Sequence, residues 1–102
     1  NFANMVNSLC ESLGVDYENV RKGMAADFRI GDSHLNISHG GYRGWGGYCF
    51  PKDLDAFIAT IRNLGNEEGA ILLEADKDFN TKLLSFQGLT VEDVSRHGFK
   101  RS

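Results

Sequence analysis

The chain has 102 residues, 41% of them hydrophobic and 25% charged, which fits one globular domain with a modest core. Its net charge is −3 and its lysines and arginines are scattered, whereas a nucleic-acid-binding domain would concentrate them in a basic stripe. No apolar run approaches membrane-spanning length or has the form of a signal peptide, and two cysteines do not make a disulfide framework. The composition therefore predicts a reduced, cytoplasmic protein that binds neither nucleic acid nor a membrane.

The first part of the chain is predicted to form two helices. In residues 1–13 apolar residues recur at the spacing of one helix face, and Gly14 suits the position after a helix end. That face is formed by Phe2, Val6, Leu9 and Leu13. Cys10 lies near it and is predicted to be a buried core residue. A second helix is expected to begin after Asp16, a favoured N-cap, and to end near Ala26.

Residues 27–50 are the least helical part of the sequence. They hold six of the twelve glycines and five aromatic residues, without helical rhythm or a strand pattern of note. Long loops in compact domains tend to be functional, and a flexible linker would contain few aromatic side chains. We therefore predict an ordered, glycine-rich binding loop here.

Three more helices are predicted after the loop, with expected ranges of 51–64, 67–87 and 91–97. Pro51 suits the first turn of a helix, and Asn66 and Thr90 are N-cap candidates. The core face of the third helix is expected to be Leu54, Phe57, Ile58, Ile61 and Leu64. The core face of the fourth is expected to be Leu72, Ala75, Phe79, Leu83 and Phe86. The predicted fold class is all-α, interrupted by one long glycine-rich loop.

The sharpest cluster of reactive residues stands at the end of this loop. Cys49 precedes a predicted helix N-terminus, whose free N–H groups favour negative charge, and Lys52 adds a cation in the first turn. Such surroundings favour a reactive thiolate. Asp53, four residues later, could accept a proton or orient a water. From these residues alone, the alternative stays open that Cys49 is a buried structural cysteine beside two turn glycines.

Three motifs occur in a distinctive order along the chain. They are Asn4 with Leu9-Cys10-Glu11, then D-x-R-I-G at residues 27–31, then G-x-G-G-x-C-F-x-K-D at residues 44–53. Together they resemble the central domain of the UDP-glucose/GDP-mannose dehydrogenase family over roughly residues 2–80. The interval between the second and third motifs is longer than in the family, with an insertion around residues 36–42.

The resemblance implies the central, dimerisation domain of a longer NAD-dependent enzyme that acts as a homodimer. Because the chain already reads as helix at its first residue, we expect a piece of that enzyme without its N-terminal Rossmann domain. The implied reaction oxidises the 6-hydroxymethyl group of a nucleotide sugar twice. A Cys49 thiolate would capture the intermediate aldehyde as a thiohemiacetal, which becomes a thioester and is then hydrolysed. UDP-glucose is the default substrate, and UDP-N-acetyl sugars and GDP-mannose remain open.

The resemblance also assigns roles to single residues. Cys49 and Asp53 would be catalytic, with Asp53 handling the proton and the water. Lys52 and Phe50 would contact NAD. The nucleotide sugar would be bound by Arg29, Tyr42, Gly44, Trp45, Gly46 and Gly47. Arg29 is expected to act on a substrate bound near the partner subunit's cysteine, with capping of the second helix as the alternative.

Other interpretations of the same residues remain at this point. The domain might be a noncatalytic helical dimerisation module, or a cysteine hydrolase that uses Cys49, His39 and Asp53. The histidines at positions 34, 39 and 97 do not have the spacing of a structural zinc site, so no metal is expected. The loop aromatics Tyr42, Trp45, Tyr48 and Phe50 either stack on a base or ribose, or pack the loop onto the helices.

Overall fold

The protein is a set of helices with one short hairpin, as described by a computed structural model for residues 1–47, 49–96 and 99. The helices are α1 (Phe2–Leu13), α2 (Tyr17–Ala25), α3 (Phe50–Asn63), α4 (Glu67–Phe86) and α5 (Val91–Val94), and the strands are β1 (Ser38–His39) and β2 (Tyr42–Arg43). The all-α class is confirmed. No helix in the described part of the chain is long and apolar enough to cross a membrane.

The helix ends follow from local capping chemistry. Gly14 closes α1 in the left-handed conformation, with a φ of 68°. The Asp16 side chain accepts a hydrogen bond from the Glu18 N–H at the start of α2. The Asn66 side chain accepts one from the Gly69 N–H at the start of α4. These ends confirm the predicted boundaries to within a residue or two.

The fifth helix is shorter than expected. Thr90 and Asp93 form the predicted capping box at its start, but α5 ends at Val94. His97, in the predicted last turn, lies outside the described residues.

A two-residue hairpin inside the glycine-rich loop was not expected. His39 pairs with Tyr42 and Ser38 with Arg43 in antiparallel register. Gly40 and Gly41 join the strands with φ values of 61° and 82°, as a tight hairpin turn with two left-handed residues requires. The expectation of no strand was wrong here, because strands of two residues are too short to show an alternating pattern.

The core is divided into two clusters of buried side chains. The first joins α1 and α2 to the loop and contains Ala3, Cys10, Tyr17 and Leu35. The second joins α3 and α4 and contains Leu54, Ile58 and Ala70, with Trp45 of the loop packed against it. The Tyr17 hydroxyl donates to the Leu35 carbonyl at 2.6 Å, and burial raises the pKa of that tyrosine. Cys10 is buried, as predicted.

The predicted apolar faces were only partly correct. Leu54 and Ile58 of α3 are buried, but Phe57 and Leu64 are exposed. On α1 the structure buries Ala3, Asn4, Asn7 and Cys10, and exposes Phe2, Leu9 and Leu13. On α4 it buries Ala70, Asn80, Leu83 and Leu84, and exposes Leu72 and Phe86. Hydrophobic periodicity identifies the most apolar face of a helix. In α1 and α4 the buried face also includes amide side chains that bind the loop, so the two faces differ.

Candidate active site

Two side-chain carboxamides, one within α4 and one at its C-cap, hold the backbone of the glycine-rich loop. The Gln87 carboxamide accepts from the Arg43 N–H at 2.8 Å and donates to the Arg43 carbonyl at 2.8 Å. The Asn80 carboxamide accepts from the Trp45 N–H at 2.7 Å and donates to the Trp45 carbonyl at 2.9 Å. The Gly47 N–H then donates to the Val94 carbonyl at 2.9 Å. The loop is thus fixed at three alternate residues just before Cys49.

Trp45 packs the loop onto the helices. Its indole N–H donates to Asp76 of α4 at 3.2 Å, and its ring lies 5.0 Å from that of Phe50, at the start of α3. Tyr42 is half-buried and meets Phe99 edge-on, with ring centroids 5.7 Å apart. Burial raises the pKa of the Tyr42 hydroxyl. These contacts show both rings packing the loop. Tyr48 lies outside the described residues.

The three glycines of the motif differ in what surrounds them. A Cβ added at Gly44 would lie 2.7 Å from the Asn80 carboxamide oxygen, and one at Gly46 would lie 2.8 Å from the Val94 carbonyl oxygen. Both glycines therefore allow close packing of the loop against other parts of the protein. Gly47 has a φ of 99° and open space where a Cβ would point.

Cys49 is the N-cap residue of α3 and is exposed. The N–H groups of Phe50 and Lys52, in the first turn, have no partner within the helix, and Pro51 between them has no N–H. The Asp53 N–H donates to the Cys49 carbonyl at 3.0 Å. The predicted place at a helix start is confirmed, and the alternative that Cys49 is buried is wrong.

Lys52 and Asp53, in the first turn of α3, are both exposed. Their side chains form a 3.5 Å ion pair and are 66% and 67% exposed. A pair this exposed contributes little to stability, so both groups are available to a bound molecule. The carboxylate and the thiol are thus presented by the same helix start.

Arg29 lies on the short segment after α2. Its guanidinium donates to both oxygens of Asp27, at 3.1 and 2.7 Å, and its side chain is 76% exposed. This pairing holds the pKa of Asp27 below its usual range. The neighbouring Phe28 is 93% exposed. Arg29 therefore does not cap the carbonyls at the end of α2, and the whole segment projects from the domain.

The histidines form no catalytic or metal cluster within the described ranges. His34 and His39 line a polar cavity of about 220 Å³ together with Asn4 of α1 and Asn36. No group of three or more His, Cys, Asp or Glu side chains in the described part of the chain is placed to hold a metal ion. His39 and Asp53, considered with Cys49 for a hydrolase, line different cavities.

The motifs and their geometry agree with a comparison to known proteins. Residues 1–82 match the profile of the UDP-glucose/GDP-mannose dehydrogenase family, central domain. The chain belongs to this family. The predicted resemblance over residues 2–80 is confirmed.

Several curated relatives are named UDP-glucose 6-dehydrogenase. The one from Rickettsia bellii is 44% identical over 62 residues, which are 61% of this chain and 13% of the relative. The one from Pseudomonas aeruginosa is 38% identical over 88 residues, 86% of this chain and 18% of the relative. The one from Haloferax volcanii is 42% identical over 78 residues, 76% of this chain and 17% of the relative. The chain thus spans less than a fifth of the length of these proteins.

The sequence did not reveal which residues of α4 and its C-cap bind the loop. Asp76, Asn80 and Gln87 were not singled out, because polar residues in a long helix usually face solvent. The sequence does contain one indication of their role. Asn80 and Gln87 are seven residues apart, which is nearly two helix turns and places both carboxamides on one face. The sequence likewise predicts a helix at Val94 but does not indicate that its carbonyl binds the loop.

Proposed function

We propose that this chain is the helical domain of a longer NAD-dependent enzyme that oxidises a nucleotide sugar, UDP-glucose by default, to its uronic acid. The observation that carries the proposal is the exposed Cys49 at the start of α3, at the end of a loop anchored by α4. The relatives named UDP-glucose 6-dehydrogenase support the substrate and the reaction class.

The Cys49 thiol would capture the aldehyde made in the first oxidation. Its sulfur forms a bond to the aldehyde carbon, and the carbonyl oxygen takes a proton, which gives a thiohemiacetal. Loss of a hydride from that carbon to NAD, together with loss of the hydroxyl proton to solvent or a base, would give a thioester. Water then displaces the sulfur, which releases the carboxylate and returns the thiol. Asp53 is the group in reach of this helix start that would orient the water and accept its proton.

The first turn of α3 suits this chemistry. The free N–H groups of Phe50 and Lys52 and the helix dipole favour negative charge where the thiolate stands. Exposure of the thiol gives the sugar access. The reduced thiol that the mechanism needs is consistent with a cytoplasmic location.

NAD would accept the hydride in both oxidations, and the residues of this chain fit its presence. Lys52 is an exposed cation suited to a pyrophosphate, and Phe50 presents a half-exposed ring beside Cys49. An apolar depression of about 400 Å³ adjoins them, lined by Phe50, Asp53, Leu54, Phe57 and Leu73. Most of the cofactor would be held by a dinucleotide-binding domain outside this chain.

The nucleotide sugar would lie against the anchored loop. Gly47 leaves open space at the backbone nearest Cys49, and Tyr42 presents a half-buried phenol at the other end of the segment. Gly44, Trp45 and Gly46 would shape the site mainly through the fixed loop backbone. Arg29, on its projecting segment, would reach a substrate in the partner subunit.

A second copy of the chain would cover an apolar surface shared by α1 and α4. Phe2, Met5, Leu72, Ala75 and Phe79 line one depression on this surface. Leu9, Leu13, Ile71 and Phe86 are also exposed. Monomeric proteins rarely expose so many large apolar side chains on two neighbouring helices. Two-fold dimers are the commonest assembly, so we propose a homodimer with α1 and α4 at the interface.

Selective alkylation tests whether Cys49 is the nucleophile. In the 102-residue chain, Cys49 is expected to react with iodoacetamide at least about tenfold faster than Cys10, because only Cys49 is exposed and stands at a helix start. Peptide mass spectrometry gives the rate at each cysteine. The matched variants are Cys49→Ser, which should lose the fast reaction, and Cys10→Ser, which should keep it. Faster reaction at Cys10 would remove Cys49 from the proposed role.

A further inference from the structure

We propose that Asn80 and Gln87 are positioning residues for Cys49, which they place by fixing the backbone of the loop that leads to it. The proposal rests on the function proposed for Cys49. Neither residue touches the thiol. Each acts through the main chain of residues 43–47. The position of the nucleophile therefore depends on where α4 places these two carboxamides.

The surroundings of Asn80 are complementary to the loop. Its side chain has no exposed surface, yet its carboxamide donates to one backbone group of Trp45 and accepts from the other. Gly44 leaves the space that this carboxamide fills. One turn earlier, Asp76 accepts from the Trp45 indole. A buried amide satisfied in this way fixes one arrangement, because any shift of the loop leaves polar groups unpaired.

Gln87 repeats the pattern at the other end of the segment. It donates to the Arg43 carbonyl and accepts from the Arg43 N–H, as a neighbouring strand would. The hairpin ends at Arg43, so from there the loop has no strand partner of its own. The carboxamides of Asn80, in α4, and of Gln87, at its C-cap, replace that partner for residues 43–45.

The short chain between the anchor and the thiol transmits any displacement. Trp45 and Cys49 are four positions apart in the chain, a reach of at most about 14 Å when fully extended. The Gly47 N–H is also held, by the Val94 carbonyl. Losing the Trp45 anchor would leave the segment held less tightly, so we expect the thiol to shift relative to the N–H groups of the first turn of α3.

The test uses the 102-residue chain and its single tryptophan, Trp45, as a local spectroscopic probe. In Asn80→Leu both hydrogen bonds to the Trp45 backbone are lost. The emission of Trp45 should shift to longer wavelength, and Cys49 should alkylate about two- to fivefold more slowly, the range of a helix N-terminus effect. Asn80→Asp keeps an acceptor for the Trp45 N–H and should fall between the wild type and Asn80→Leu. Gln87→Leu should change both signals in the same direction.

A matched control separates positioning from general destabilisation. Asn66→Ala removes the N-cap at the end of the same helix opposite to Gln87, and it should lower stability in urea unfolding without changing Trp45 emission or the alkylation of Cys49 in the folded protein. If Asn80→Leu does not fold, Asn80→Asp and Gln87→Leu decide the result in the same way. Folded variants with wild-type emission and wild-type alkylation would overturn the proposal. These signals need no turnover, so a failure of the proposed reaction would be seen separately, as activity retained by Cys49→Ala.

Discussion

Replacing Cys49 with Ala in the longer enzyme is expected to lower the rate of acid formation by at least about a thousandfold, because covalent capture of the aldehyde is lost. The first oxidation does not need the thiol, so some aldehyde should still form. Mass spectrometry of the products, together with NAD reduction followed by absorbance, distinguishes the two steps.

Cys10→Ala is the control for this experiment. Cys10 is buried among Ala3, Tyr17 and Leu35, so its replacement should reduce stability and leave the ratio of acid to aldehyde unchanged. Acid formation at a normal rate by Cys49→Ala would show that the thiol is not part of the reaction. The same loss in both variants would show only that the fold had been damaged.

Two inactive variants of the longer enzyme are expected to restore activity when mixed. Arg29→Ala and Cys49→Ala homodimers should each be nearly inactive. If Arg29 acts across the interface, the heterodimer has one complete site, formed by the thiol of one subunit and the arginine of the other. Random exchange of equal amounts makes half of the dimers mixed, so activity should return to about a quarter of the wild-type value.

The geometry of Arg29 motivates this expectation. Its guanidinium donates to both oxygens of Asp27 on an exposed segment, and no other group among the described residues bonds to it. The guanidinium can exchange the Asp27 carboxylate for another anionic or hydroxyl-rich ligand, because its donors keep the same paired geometry. Asp27→Asn weakens this pairing but keeps the arginine, and it should retain most of the activity. Mixed dimers that stay inactive would place Arg29 within its own subunit's site.

The parts of the fold that could be predicted are those set by neighbouring residues. Gly14, Asp16, Asn66 and the capping box at Thr90 act within a few residues, so the helix boundaries follow from the sequence. The inner faces of α1 and α4 could not be predicted in this way. They depend on Asn4, Asn80 and Gln87 meeting a loop that is distant in sequence.

The candidate site shows the same division. Cys49 could be recognised because its helix start is local, and its exposure agrees with that prediction. The purpose of Gly44 and Gly46 could not be recognised, because it depends on Asn80 and Val94 pressing on them from other helices. The motif therefore pointed to the proposed nucleophile without revealing what holds its loop in place.

The most direct test of the central claim is the mass of the Cys49 peptide after reaction. Asp53→Asn enzyme is mixed with UDP-glucose and NAD, quenched in acid and digested. Because Asp53 is proposed to activate the water, the account predicts that a thioester adduct of the uronic acid accumulates on Cys49 and is absent from Cys10. No adduct on Cys49 in an enzyme that still turns over slowly, or an adduct on a different residue, would contradict it.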